Sequence, residues 1–120
     1  MAGIHKTGQR GEAIAAAYLS EQGYEILATN WQSNHQEVDI VARKAGLLVI
    51  AEVKTRSSSY HGQPEAFVTR HKQRMLIKAA NHYLSKHKLD LEVRFDIVAI
   101  LIHDHGHRIN HIESAFYPTV

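Results

Sequence analysis

The stretch Gln36-Glu37-Val38-Asp39-Ile40-Val41-Ala42-Arg43-Lys44-Ala45-Gly46-Leu47-Leu48-Val49-Ile50-Ala51-Glu52-Val53-Lys54-Thr55 decides the fold. Gln36 to Arg43 alternates polar and apolar side chains with the period of a strand, and Lys44-Ala45-Gly46 supplies a short connection into a second extended run, Leu47 to Thr55. An antiparallel hairpin is expected. Side chains two apart in a strand share a face, so Glu52 and Lys54 project together while Ala51 and Val53 face the other way. Pairing across the hairpin can bring Asp39 next to Glu52.

Working outward, Gly11 to Gly23 reads as a helix from its Ala, Leu and Glu content, with Gly23 as its stop. Tyr24 to Trp31 begins a first extended segment, which makes three antiparallel strands with the hairpin. Ser57 to Pro64, with Tyr60 and His61 inside it, is a polar connector expected to be mobile and able to touch a nucleic acid. Beyond it, Leu76, Ala79, Ala80, Tyr83, Leu84 and His87 fall at the spacing of a helix with one buried face, and Thr69 is available as its N-cap. Phe95 to Ile102 is almost continuously aliphatic, as suits a parallel strand covered on both sides. Leu47–Thr55, the helix and Arg94–Ile102 then form a β-α-β crossover, and Arg108 to Ala115 makes a final edge strand after a turn at Gly106. The predicted order is α-β-β-β-α-β-β, an α/β fold with a mixed sheet flanked by helices.

At 120 residues the chain fits one domain spanning 1–120, because splitting it would leave two cores too small to fold without staples. No cysteine is present, which removes disulfides and thiolate zinc sites and makes a cytoplasmic setting the default. The longest aliphatic run, Ile97 to Ile102, is far below the roughly 20 residues that cross a bilayer, so no membrane partner is expected. The formal charge is +2 with ten histidines besides. Its distribution matters more than its size: between Glu65 and Asp90 there is no acidic residue, while Arg70, Lys72, Arg74, Lys78, Lys86 and Lys88 all lie there.

Two clustered carboxylates repel unless a cation neutralises them, and a hard, oxygen-seeking ion such as Mg²⁺ suits Asp39 and Glu52. Phosphodiester cleavage calls for a metal that polarises phosphate, an acidified water and a cation for the developing charge, and Lys54 can supply the last. The plainer reading is a cross-strand ion pair worth about 0.2–1 kcal/mol, and spacing alone leaves both open. Glu12, one turn before Ala16, is a further candidate carboxylate, with a helix-dipole role as its alternative. Arg70, Arg74, Lys78, His82 and Lys86 step by four along the second helix with no acid to pair with, a stripe that can track phosphates or simply face water. His103, His105, His107 and His111 with Asp104 make a weak case for a transition metal, and a polar hairpin explains them better. Arg94 and Asp96 are positioned for a same-face structural pair.

These motifs resemble the YraN-type family of small bacterial proteins related to Holliday-junction resolvases and other PD-(D/E)XK nucleases. The likeness rests on Gly8-Gln9-Arg10-Gly11-Glu12 with Ala16 and Leu19, Gly23 to Leu27 through Asn30-Trp31, Glu37 to Val41, Glu52 to Arg56, Lys72, Ala80 with Tyr83-Leu84, and Arg94 to Val98. It implies a restriction-endonuclease-like fold with Asp39 and Glu52 as ligands of Mg²⁺ or Mn²⁺, Lys54 beside the attacking water, and Glu12 as an accessory carboxylate. Arg56, Arg70, Lys72, Arg74 and Lys78 are the expected contacts to nucleic acid, with DNA as the partner. One departure stands out: Gln36 occupies a place where the family pattern has glycine, which puts the local backbone in question. A metal-dependent endonuclease acting on branched DNA is therefore expected first, and a non-catalytic nucleic-acid-binding module second. An assembly protein is third, with two copies pairing as a homodimer through Arg108–Ala115, Phe116 and Tyr117.

Overall fold

The apolar residues of the hairpin sort into two sets, and the architecture follows from that sorting. The computed structural model describes residues 2–57 and 67–118, with side chains from Gly8 onward. Its elements are α1 (Ala2–Glu21), β1 (Glu25–Ser33), β2 (Gln36–Lys44), β3 (Leu47–Ser57), α2 (Arg70–His87), β4 (Glu92–His103) and β5 (Gly106–Phe116). They make a five-stranded sheet in the order β1-β2-β3-β4-β5, with β3 and β4 parallel and every other pair antiparallel. The expected element order and the mixed sheet are both present.

On one face Leu48 and Ile50 pack with Val38, Val41, Phe95 and Ile97 beneath Leu76, Ala79, Ala80 and Tyr83 of α2. On the other, Val49 and Ala51 pack with Ile40, Ala42, Val98 and Ile100 beneath Ala15 and Leu19 of α1. β4 feeds both cores, which is why its sequence is apolar without alternation. His87, expected on the buried face of α2, is exposed instead and lies against the Tyr83 ring at 4.2 Å. Thr69 caps α2 as expected, its side chain accepting from the Lys72 amide at 3.2 Å. The helix ends at Lys88, in the left-handed region with φ 55°, where the Leu89 amide reaches back to the Leu84 carbonyl. Of the connector read as mobile, Ser57 ends β3, and the rest, with Tyr60 and His61, lies outside the described residues.

Helix α1 begins at Ala2 rather than at Gly11. Gly11 is no boundary; it sits inside the helix where helix and sheet come closest. A Cβ at this position would lie 2.0 Å from Thr55 Oγ1, 2.8 Å from its Cγ2 and 2.9 Å from its Cβ. Glycine is what allows α1 to reach β3 at that level.

Under the C-terminal half of α1 the sheet carries a buried polar network. Asp96, 1% exposed, accepts from Arg94 Nε at 2.9 Å and Nη2 at 2.8 Å, from the Ser114 amide at 3.1 Å, and shares a 2.8 Å hydrogen bond with His111 Nε2. Arg94 Nη2 also donates to Tyr24 Oη, and Tyr18 Oη meets His111 Nδ1 at 3.0 Å. The expected Arg94–Asp96 pair is thus one edge of a larger structure that ties α1 to β4 and β5. To reach Asp96, β5 breaks its register: the pairing shifts between Phe95 and Ile97, and Ser114 takes φ 51°. No described helix is long and apolar enough to cross a membrane.

Two outcomes follow. Gly11→Ala forces Thr55 aside and should cost about 1–3 kcal/mol of stability, whereas Gly8→Ala, with open space around its Cβ, should be neutral or gain up to ~1 kcal/mol. Urea unfolding of the two variants, side by side with the wild type, separates the contact from helix propensity. Asp96→Asn leaves the Arg94 guanidinium with only the exposed Glu113 carboxylate, 3.5 Å away, as counter-charge and should cost about 3–5 kcal/mol in the same measurement.

Candidate active site

Strands β2 and β3 are paired from Lys44 and Leu47 up to Ile40 and Ala51, and there the ladder stops. β2 continues beside β1 as far as the Ser33–Gln36 pair, so the sheet forks one step before Asp39 and Glu52 would face each other. At the fork Asp39 Oδ2 accepts the Val53 amide at 2.8 Å, supplying with a side chain the partner that a continued ladder would have given. Gln36 stays within β2, opposite Ser33, with its side-chain amide donating to the Glu37 carbonyl at 2.9 Å. The left-handed residue of this connection is Asn34, with φ 56°, so glutamine at 36 is accommodated without strain.

Glu52 is nearly buried, on the α2 side of the sheet, and one of its oxygens gathers two cations: Lys54 Nζ at 3.5 Å and Lys72 Nζ at 3.7 Å. Burial pushes the Asp39 carboxyl up to about 6; the Val53 amide opposes this, Glu52 and Glu12 add to it, and Lys72 opposes it again. Glu12 thus acts on Asp39 from α1, and Lys72 from α2. Of the four residues expected to carry chemistry, Lys54 meets Glu52 directly and Asp39 caps the end of the ladder beside them, while Glu12 reaches Asp39 only through its charge.

Lys72 joins them, although its sequence suggested a place among the nucleic-acid contacts. A signal for this was available: 72 lies four residues before Leu76 and so continues the face formed by Leu76, Ala79, Ala80 and Tyr83, the face that meets the sheet. Arg70, Arg74 and Lys78 are exposed along α2, where the four-residue steps to Lys86 span about 24 Å. His82 interrupts the stripe, because its Nδ1 shares a 2.8 Å hydrogen bond with the buried Ser33 hydroxyl and its ring lies 5.3 Å from Trp31. Arg56 Nη1 donates to its neighbour's carbonyl, Thr55 O, at 2.9 Å.

Among the described residues no three His, Cys, Asp or Glu side chains come together as a group able to hold a metal ion, neither Glu12 with Asp39 and Glu52 nor the alternating histidines of the β4–β5 turn. The fork offers an open donor set. Asp39 and Glu52 present hard carboxylate oxygens, and Mg²⁺ is commonly held by one or two carboxylates with water and phosphate oxygens completing its shell. The two residues fit such an ion.

Fold and site together define an α/β protein whose mixed sheet divides to gather carboxylates and lysines from both of its faces. The chain belongs to the family described as Uncharacterised protein family UPF0102, whose model matches residues 11–100 and therefore spans all five site residues. It is 44% identical over 117 residues to a UPF0102 protein of Christiangramia forsetii, a match covering 98% of each chain. UPF0102 proteins of Bacteroides thetaiotaomicron and Flavobacterium johnsoniae are each 45% identical, over 118 and 121 residues, again with 98% of each chain covered.

The crowding at Asp39 has a measurable sign. A carboxyl whose pKa is raised on folding, here from 3.8 to about 6, holds its proton more tightly in the native state. Its contribution is most favourable below 3.8 and is lost as pH rises through about 6. Asp39→Asn removes that penalty while keeping an oxygen for the Val53 amide. It should therefore be more stable than the wild type by about 1–3 kcal/mol at pH 7–8 and gain nothing near pH 4. Denaturant midpoints across that range check both limbs, and an equal difference at both ends would show that the charge is not the cause.

Proposed function

We propose that this chain is a restriction-endonuclease-like nuclease of the PD-(D/E)XK type that hydrolyses phosphodiester bonds in DNA with Mg²⁺ or Mn²⁺. Branched or junction DNA is the substrate form implied by the resemblance to Holliday-junction resolvases. One observation carries the reading: Asp39 and Glu52 are brought to the open fork of the sheet with the Lys54 ammonium 3.5 Å from Glu52. A plain cross-strand ion pair would need no second carboxylate at the fork and no burial that works against its charge.

When bound, the divalent ion would draw charge from a phosphate oxygen and acidify water beside it. The chain's own residues would do the rest. Asp39 and Glu52 would hold the ion, and Glu12 would add negative potential behind it. Lys54 would orient the attacking water and stabilise the charge that develops on phosphorus-bound oxygen. In the overall step the water oxygen forms a bond to phosphorus, the bond from phosphorus to the departing sugar oxygen breaks, and the water's proton ends on that oxygen through solvent. Arg70, Arg74 and Lys78 would track phosphates away from the fork, with Arg56 nearer to it.

A second reading, a nucleic-acid-binding module without catalysis, is favoured by the double neutralisation of Glu52, since lysines alone already compensate that charge. A four-way DNA junction distinguishes the two. Nicking is expected with Mg²⁺ or Mn²⁺ and not with a chelator, and Asp39→Ala or Lys54→Ala should lower the rate by about 10²-fold or more. Binding without nicking in every metal would instead favour the module, and nicking unchanged by either substitution would show that the site assigned at the fork is wrong. Under both readings Arg74→Glu with Lys78→Glu should weaken binding and flatten its dependence on salt concentration; unchanged affinity would dismiss the stripe.

A further inference from the structure

We infer that Lys72 is a built-in competitor for the metal: its ammonium lies against the Glu52 oxygen and must yield that oxygen for a divalent cation to bind. The inference rests on the nuclease reading of the same site and concerns how that site is loaded.

The argument begins with an oxygen that has two cations where one would serve. Lys54 and Lys72 approach the same Oε2 of Glu52, at 3.5 and 3.7 Å. The two lysines differ in how they are held. Lys54 is on the same strand and face as Glu52, two residues along, so its proximity is fixed by the pleat. Lys72 comes from another element, and its side chain is 36% exposed against 26% for Lys54. Its backbone is fastened by the Thr69 cap, while a four-carbon stem leaves the ammonium free to swing between the carboxylate and solvent.

The surroundings of Lys72 make it depend on Glu52 for a counter-charge. The first turn of α2 carries no acid, and Arg70 and His71 stand beside Lys72 at the positive end of the helix dipole. Glu52 is the negative charge that offsets this crowding. A divalent ion seated by Asp39 and Glu52 would repel the ammonium at short range and take away its counter-charge. Metal and Lys72 therefore exclude each other at Glu52, and a phosphate arriving at the fork would offer the released ammonium a new partner.

The test is Mn²⁺ binding by the full chain without nucleic acid, followed by titration calorimetry or by the spin-resonance signal of free Mn²⁺. Lys72→Met should bind Mn²⁺ about ten-fold more tightly than the wild type, and Lys72→Arg, which keeps the charge, should not. Thermal melting of both variants verifies that they are folded, and Lys72→Gln provides a second neutral side chain should the methionine variant fold poorly. If neutral variants bind no more tightly than the wild type while Glu52→Gln abolishes binding, the competitor is overturned and the nuclease reading stands. Tightening by Lys72→Arg as well would also overturn it, by tracing the effect to shape rather than charge. Failure of the wild type to bind Mn²⁺, or binding that survives both Asp39→Asn and Glu52→Gln, overturns the nuclease reading and this inference together.

Discussion

The hydrogen bond from the Val53 amide to the Asp39 carboxylate is the point at which a sheet becomes a site. A strand that leaves its partner inside a protein exposes main-chain donors with nothing to accept them, and such orphans are costly. Here the first donor past the ladder is met by a side chain, so β2 can part from β3 without losing register. The same bond holds the carboxylate at the end of the ladder, where the charge of Glu52 acts on it. The chain thus gains an opening between two strands at the level of Glu52 and Lys54 while the hydrophobic pairs below, Ile40 with Ala51 and Val41 with Ile50, remain closed. What it gives up is stability around a crowded pair of acids, a loss confined to the place where chemistry would need it.

Two aspartates make the contrast plain. Asp39 and Asp96 are both largely removed from solvent, yet their carboxyls move in opposite directions. Burial acts to raise each one. At Asp96 it is outweighed by His111, Arg94 and the Ser114 amide, which hold the carboxyl below its usual range. At Asp39 a single amide and a lysine face two further carboxylates, and burial prevails. A charge that is fully compensated behaves as structure, and here it fastens α1 through Tyr18 and Tyr24. One left partly uncompensated is what a site for a cation or a proton requires. The first supports the second, because α1 is the element that brings Glu12 toward the fork.

The fold was legible wherever hydrophobic period and turn chemistry agreed. Glu37 to Ile40 and the run through Leu47 to Thr55 announced the hairpin, and the uninterrupted apolar stretch of β4 announced a strand covered on both faces. Thr69 announced its helix. What resisted reading was tertiary. Gly11 looked like punctuation because a glycine inside a helix carries no local sign that another strand passes within contact distance. The stripe on α2 was read by counting fours from Arg70, which is correct for the exposed face but hides that Lys72 belongs to the buried one. Asp39 beside Glu52 was within reach of the pairing pattern; the fork itself was not, since nothing in the alternation of β2 indicates where its partner departs. His111 and Ser33 were hidden for a similar reason, as their partners lie far away in the chain.

The left-handed Ser114 also shapes how the molecule meets its neighbours. By turning its amide inward to Asp96, it removes one donor from the outer rim of β5, and the register shift beside it bends the strand at that level. On the far side, the left-handed Asn30, with φ 51°, and the register shift between Ile26 and Ala28 break the regularity of β1. Each border of the sheet is thus interrupted along its length, which shortens the row of donors and acceptors onto which a stray strand zips and from which fibres grow. The buried polar network that anchors the first helix therefore also shortens the stretch of β5 that a foreign strand could extend.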